Sequence, residues 1–102
     1  MEMLENKNNI VIVSNYNHIT EKNIIDLWSY NSHIASFINY NKKNNCMLKL
    51  NKEKWDYSQT TLRHLKHFIN DYIEKDYYTT KKEFNEKIKK NGFIYLVNEY
   101  DL

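Results

Sequence analysis

The sequence predicts an α+β fold, in which a small antiparallel sheet of three to five strands packs against one main amphipathic helix, with a second short helix. Three observations support this prediction. β-branched or alternating runs recur in the first half of the chain. One central stretch repeats apolar residues at helical spacing. A Lys-rich stretch ends at Gly92, the single glycine, as a short helix would. A chain of 102 residues fits a single domain over positions 1–102.

The first half of the chain predicts strands joined by polar turns. NNIVIV (residues 8–13) is a β-branched run, and the loop that follows contains Thr20, which can cap a short helical turn. IIDLWSYN (residues 24–31) and SHIASFINY (residues 32–40) alternate with a period of two and therefore predict strands. Residues 41–45 form a polar turn rich in Asn, which tolerates left-handed backbone. CMLKL (residues 46–50) then predicts a partner strand in which Cys46 is a small buried apolar side chain.

Residues 58–73 predict the main helix. Ser58 or Thr61 can accept a hydrogen bond from a free amide at the helix start. The predicted apolar stripe consists of Leu62, Leu65, Phe68, Ile69, Tyr72 and Ile73. The opposite, solvated face consists of Thr60, Arg63, His64, His67, Asn70, Asp71 and Glu74. This helix is expected at the centre of the core, because its stripe is the longest in the sequence.

The last third of the chain predicts the second helix and a final strand. Thr79 or Thr80 can cap a helix that ends at Asn91-Gly92. FIYLV (residues 93–97) is continuously apolar, which predicts a strand covered on both faces. The acidic tail after it is expected to fray.

Composition excludes several classes of protein. Net charge is only +2 and Arg63 is the single arginine, which is not typical of a protein that reads double-stranded DNA. One glycine cannot build a Gly-rich phosphate loop. The sequence contains no apolar run long enough to span a membrane. With Cys46 as the only cysteine, no intramolecular disulfide forms, so a reducing compartment, the cytoplasm, is expected.

Candidate catalytic and metal-binding residues are few. His64 and His67 lie three residues apart, and Asp71 lies four beyond His67, so the three could share one helix face. A metal site needs further ligands, which the sequence does not place nearby. A surface pair of His67 with Asp71 is therefore expected, with no metal and no cofactor. Cys46 has no visible activating neighbour, and no catalytic motif occurs, so the protein is not expected to be an enzyme.

Two segments carry a resemblance to a known group of proteins. SYNSHIA (residues 29–35) and DYSQTTLRHLKHFI (residues 56–69) resemble the paired signature of a widespread group of small phage-encoded proteins. That group typically has a Ser-Tyr-x-Thr-x-Val/Ile-Ala strand, a hairpin, and then Tyr-Ser-x-Thr-Thr-x-x-His before a helix. Ser32 replaces the usual Thr here. The resemblance implies a phage or prophage origin and a non-enzymatic accessory protein in the bacterial host cytoplasm.

The resemblance also suggests a function. Small phage proteins without chemistry often bind host defence proteins, which implies an anti-CRISPR-like inhibitor of a bacterial defence nuclease. The expected partner is a CRISPR effector, alone or with its guide RNA. The predicted contact residues are Arg63, His67, Tyr77 and Tyr78, because aromatic anchors ringed by polar groups carry most interface energy. The alternative is a small phage regulator that binds nucleic acid through Lys and Tyr.

Overall fold

A computed structural model of the chain describes residues 1–40, 45–74, 81–90 and 94–102. Within these ranges, six strands form one sheet. The strands are β1 (Glu2–Lys7), β2 (Ile10–Asn17), β3 (Lys22–Ser29), β4 (Ser32–Tyr40), β5 (Asn45–Asn51) and β6 (Ile94–Val97). The helices are α1 (Gln59–Tyr72), α2 (Lys81–Lys90) and a 3₁₀ turn at Glu99–Asp101. None of the described helices is long and apolar enough to cross a membrane.

The sheet is mixed, and the predicted fold class is wrong. The strands follow chain order across the sheet, and β1 to β5 are antiparallel to their neighbours. β6 instead lies parallel to β5. Parallel neighbours cannot be joined by a hairpin and need a crossover connection. The segment between β5 and β6, which contains α1 and α2, is that crossover. The molecule is therefore dominated by a six-stranded mixed sheet and is not a small antiparallel sheet of three to five strands.

Two hairpins in the first half differ from the predicted pattern. β1 was not predicted, because its sequence EMLENK is polar. It forms because Asn8 and Asn9, both with positive φ, make a tight turn that returns the chain to pair with β2. The predicted loop with a capping Thr20 is a short hairpin turn instead, in which the Asn17 side chain accepts the amides of Ile19 and Thr20. The local contacts of these two turns, which hydrophobic alternation does not reveal, bring the neighbouring strands together.

Helix α1 covers one face of the sheet and completes the core. Ser58 is its N-cap: the Ser58 Oγ accepts the Thr61 amide at 3.0 Å, one of the two predicted caps. Leu65, Phe68 and Ile69 are buried, as their spacing predicts. They join a cluster that includes the sheet residues Ile10, Ile12, Leu27, Leu48 and Leu50. The other three residues of the predicted stripe, Leu62, Tyr72 and Ile73, are only partly buried.

Several local predictions differ from the structure. Cys46 is exposed, because it lies opposite Asn39 near the far end of the β4–β5 pair, away from the buried Leu48 and Leu50. β6 is not covered on both faces, since Tyr95 and Leu96 are each about two-fifths exposed. The tail forms a 3₁₀ turn, held in part by Lys49 Nζ, which donates to the Asp101 carbonyl at 3.2 Å.

Some predicted features lie outside the described residues. These are the first four residues of the 41–45 turn, the caps Thr79 and Thr80, the Asn91-Gly92 stop, and Phe93. The second predicted helix itself corresponds to α2, over Lys81–Lys90.

Candidate functional site

A cleft of about 470 Å³ opens between the β3–β4 turn and the start of α1. The β3–β4 hairpin contributes Ser29, Tyr30, Ser32 and Ile34 to its lining. The segment from β5 into α1 contributes Lys54, Tyr57, Ser58, Thr60 and Thr61. All of these residues except Ile34 and Lys54 carry a hydroxyl group. The cleft therefore offers many hydrogen-bond donors and acceptors and one positive charge.

Tyr30 stands at the rim of the cleft in an unusual backbone conformation. Tyr30 and Asn31 form the two-residue β3–β4 turn, with φ of 50° and 66°. Left-handed backbone suits Asn but costs about 1–2 kcal/mol for a residue such as Tyr. Two contacts offset this cost: the Tyr30 amide donates to the Asn9 carbonyl at 3.0 Å, and its ring stacks on His64 with centroids 5.7 Å apart. The Tyr30 side chain stays 53% exposed. A strained residue held in place at a cleft is a feature found at binding sites.

His64 lies behind the cleft, where it contacts the lining residues Ser29 and Tyr30. The prediction that it lies on the solvated face of the helix is wrong. His64 is 8% exposed, and its Nδ1 lies 2.7 Å from the Oγ of Ser29, which is 2% exposed. Burial lowers the pKa of His64, and the nearby charges of Arg63 and His67 lower it further. The imidazole is therefore held in its neutral form, hydrogen-bonded to the end of β3.

The Ser29–His64 pair has the spacing of a hydroxyl nucleophile and its general base. Two features argue for a structural role instead. Ser29 is only 2% exposed, so little of its surface reaches the cleft that it lines. A base of this kind is also normally oriented by a third group, whereas the contacts described for the His64 ring are with Ser29 and Tyr30. The pair links the end of β3 to α1 and so fixes the position of Tyr30.

Lys54 and Tyr57 form the other side of the cleft. They lie in the loop before α1, which is anchored by the buried Trp55. Lys54 Nζ donates to Ser32 Oγ at 3.3 Å and lies 3.9 Å from a carboxylate oxygen of Glu99. Both partners of this ion pair are well exposed, so it contributes little and leaves Lys54 able to contact a ligand. Tyr57 is 79% exposed. Two exposed aromatic rings thus flank a polar cleft that contains one ammonium group.

The predicted contact residues do not line this cleft. Arg63 is exposed on α1 and donates to Thr60 Oγ1 at 3.3 Å. His67 lies one turn further along, with Nε2 at 2.8 Å from Glu5 Oε1 and Nδ1 at 3.4 Å from Asp71 Oδ2. The predicted pair of His67 with Asp71 is therefore present, together with Glu5. Tyr77 and Tyr78 lie outside the described residues, and the four-residue set stays a prediction.

Tyr30, Lys54 and Tyr57 were not singled out as site residues from the sequence. A signal existed for two of them, since Tyr30 lies in the segment 29–35 and Tyr57 in the segment 56–69. Every cleft residue except Lys54 lies in one of these two segments. The fold therefore brings both segments that carry the resemblance to one cavity. Sequence reasoning could explain each segment by capping and packing, but it could not show that they meet.

The fold and the cleft define a small mixed-sheet domain with a hydroxyl-lined surface site where its main helix begins. The chain belongs to the family of unknown function DUF8033, whose model matches residues 1–86. The matched region includes β1 to β5, α1 and every residue that lines the cleft. Neither the curated proteins nor the solved structures gave a significant match.

Proposed function

We propose that the protein binds and inhibits a bacterial defence nuclease without catalysis, and that the cleft is its contact site. The observation that carries the proposal is the convergence of residues 29–35 and 56–69 on one cavity flanked by two exposed tyrosines. The resemblance of these segments to phage proteins supports the phage origin and the defence context. The proposed partner is a CRISPR effector, alone or with its guide RNA.

The chemistry of the cleft suits a protein contact. Tyrosine buries a large area on binding and has only two side-chain torsions to fix, so it is a frequent energetic centre of interfaces. Tyr30 is already held by its turn and by the His64 ring, which lowers the entropy lost on binding. The hydroxyl groups and Lys54 would provide the hydrogen bonds around these anchors. Inhibition would follow if this contact covered a surface that the nuclease needs for its guide or target.

Affinity purification and an inhibition assay test the proposal. The tagged protein is recovered from bacterial cells that carry a CRISPR system, bound proteins are identified by mass spectrometry, and target cleavage by the recovered nuclease is measured. The parent should recover the nuclease and block cleavage, and a Tyr30→Ala/Tyr57→Ala variant should lose at least about ten-fold in affinity. Tyr16→Ala is the matched control, since Tyr16 is also exposed and lies at the opposite end of the β2–β3 hairpin. Recovery of phage structural proteins alone would rule out this function.

A second function is favoured by one feature of the cleft. An ammonium group beside exposed aromatic rings can hold a phosphate while a base stacks on the ring, as in proteins that bind single-stranded nucleic acid. Lys54 between Tyr30 and Tyr57 has this composition. The alternative is therefore a phage regulator that binds nucleic acid. The two functions differ in their dependence on salt, because phosphate contacts release counterions.

A further inference from the structure

A second group of side chains, the β1–α1 cluster, lies away from the cleft and consists of Glu5, His67 and Asp71. Glu5 comes from β1, and the other two come from neighbouring turns of α1. One potential ligand atom from each residue lies within 4.8 Å of the others. None of the three residues lines the cleft. The sequence predicted no metal site because His64, His67 and Asp71 had no further ligand. The structure assigns His64 to Ser29 instead and brings in Glu5.

The two carboxylates compete for one imidazole. Nε2 of His67 lies 2.8 Å from Glu5 Oε1, and Nδ1 lies 3.4 Å from Asp71 Oδ2. Each of the two ring nitrogens of His67 thus faces a carboxylate oxygen, one from β1 and one from α1. Within the described part of the chain, the ion pairs recorded for Glu5 and Asp71 are both with His67. A cation at the cluster would balance the negative charges of these two carboxylates and take one imidazole nitrogen as a ligand.

The ligand from β1 is already held in place. The Tyr72 hydroxyl donates to Glu5 Oε1 at 2.6 Å, and the Glu5 side chain is only 14% exposed. A hydrogen-bonded, partly buried carboxylate loses little freedom on binding an ion. Asp71 is 42% exposed and so leaves the cluster open to an ion from solvent. Imidazole nitrogen suits zinc and its neighbours, and carboxylate oxygen is a ligand of the same ions.

We propose that Glu5, His67 and Asp71 form a binding site for a divalent transition-metal ion such as Zn²⁺. Three protein ligands leave at least one position open to water, as in zinc sites that are not purely structural. Because the ligands come from β1 and α1, bound metal would also fasten the edge strand to the helix. Zinc ligand atoms lie about 3.4 Å apart when bonds are near 2.1 Å. The three ligand atoms lie within 4.8 Å of one another, so the side chains must move closer together to bind the ion.

Titration of the metal-free protein with Zn²⁺ tests the site. Calorimetry should show one Zn²⁺ per chain, and saturating Zn²⁺ should raise the unfolding temperature until a chelator is added. Glu5→Gln and Asp71→Asn should each weaken binding at least about ten-fold. His18→Asn is the control, since His18 is an exposed histidine in the β2–β3 turn, outside the cluster. X-ray absorption of the zinc-loaded parent should show one imidazole nitrogen among oxygen ligands.

Several outcomes would overturn the proposal. The first is the absence of one-to-one binding by the folded parent. The second is unchanged affinity in both Glu5→Gln and Asp71→Asn, and the third is loss of binding in His18→Asn. Asp71 is an exposed helix residue, so Asp71→Asn should fold even if Glu5→Gln does not, and circular dichroism checks this. Failure of zinc binding would leave the cleft and its proposed partner unaffected, because the two sites share no residue.

Discussion

At the scale of single residues, the hydrogen bond between Ser29 and His64 is the contact on which the cleft depends. Ser29→Ala removes one partner and leaves the buried Nδ1 of His64 without a hydrogen bond. An unsatisfied buried polar group costs about 1–3 kcal/mol. We therefore expect Ser29→Ala to lower the free energy of unfolding by that amount in a urea titration. Ser32→Ala is the control, because its hydroxyl makes only a 3.3 Å contact with Lys54 and is half-buried. Equal losses in both variants would contradict a special role for Ser29.

The pKa of His64 makes stability depend on pH. Burial, and then the charges of Arg63 and His67, lower its pKa in the folded state below the ordinary value of 6.5. The unfolded chain therefore takes up the proton first as pH falls. The contribution of neutral His64 to the free energy of unfolding is fully present above about pH 6.5 and is lost as pH falls toward the pKa of the folded state. We expect His64→Gln to show a shallower loss of stability than the parent between about pH 7 and pH 5. Identical slopes in the parent and His64→Gln would refute this assignment.

At the scale of elements, α1 begins at a single capping side chain. Ser58 Oγ accepts the Thr61 amide at 3.0 Å, and removal of such a cap costs about 1 kcal/mol. Ser58→Ala should lower stability by about that amount, and Ser58→Gly should lower it by only a few tenths of a kcal/mol. Thermal unfolding of both variants beside Gln59→Ala, an exposed neighbour, measures the effect. A loss in Ser58→Ala no larger than that in Gln59→Ala would show that the cap does not stabilise the helix.

The buried face of α1 is rotated relative to the predicted one, and two substitutions can measure this. Ile69 is 3% exposed in the core, so Ile69→Ala should cost about 2–5 kcal/mol. Leu62 is only partly buried, so Leu62→Ala should cost clearly less, although the sequence places both residues in one stripe. Urea unfolding of the two variants gives the comparison. Similar losses in both would favour the predicted stripe over the observed one.

The buried face of α1 differs from the predicted one because it includes polar residues, which a pattern of apolar spacing cannot predict. The helix start, its length and three buried residues followed from the Ser58 cap and the apolar spacing. The buried face also includes Thr61 and His64, which are polar. They are buried because Ser58 and Ser29 supply hydrogen bonds, and a pattern that counts only apolar residues cannot detect a partner 35 residues away.

The strands show the same limit of sequence information. β1 is mostly polar and shows no hydrophobic alternation. It pairs with β2 across the Asn8-Asn9 turn, and Leu4 packs against the core. β6 is only four residues long, and its sequence does not indicate whether it runs parallel or antiparallel to β5. That direction depends on where the crossover through α1 and α2 returns the chain. The alternating strands β3 and β4, in contrast, were predictable from their period of two.

At the scale of the whole molecule, both sites join segments that are distant in sequence. The cleft combines the β3–β4 turn with the start of α1, and the β1–α1 cluster combines Glu5 with His67, 62 positions later. The sequence showed that the segments 29–35 and 56–69 were unusual. It could not show that they share a cavity, because that depends on the sheet order and on the Ser29–His64 contact.

The net charge of the whole chain leads to the last prediction, which separates the two proposed functions. The charge is only +2, and Lys54 is the one basic side chain among the described residues that line the cleft. Each phosphate contact adds to both the affinity and its salt dependence, so a single cleft lysine gives only weak, salt-sensitive binding. We therefore expect the protein to bind free DNA or RNA weakly at physiological salt, and to bind the proposed nuclease partner with little dependence on salt. Lys54→Gln should reduce any residual nucleic-acid binding and its salt slope, while Lys52→Gln, an exposed lysine outside the cleft, should change neither. Fluorescence anisotropy with labelled single-stranded DNA and RNA at two salt concentrations measures both the affinity and its salt slope.

Sub-micromolar binding to free nucleic acid at physiological salt, lost in Lys54→Gln, would reverse the ranking of the two proposed functions. It would favour the nucleic-acid-binding regulator, because base stacking and phosphate contact would then explain the cleft without a protein partner.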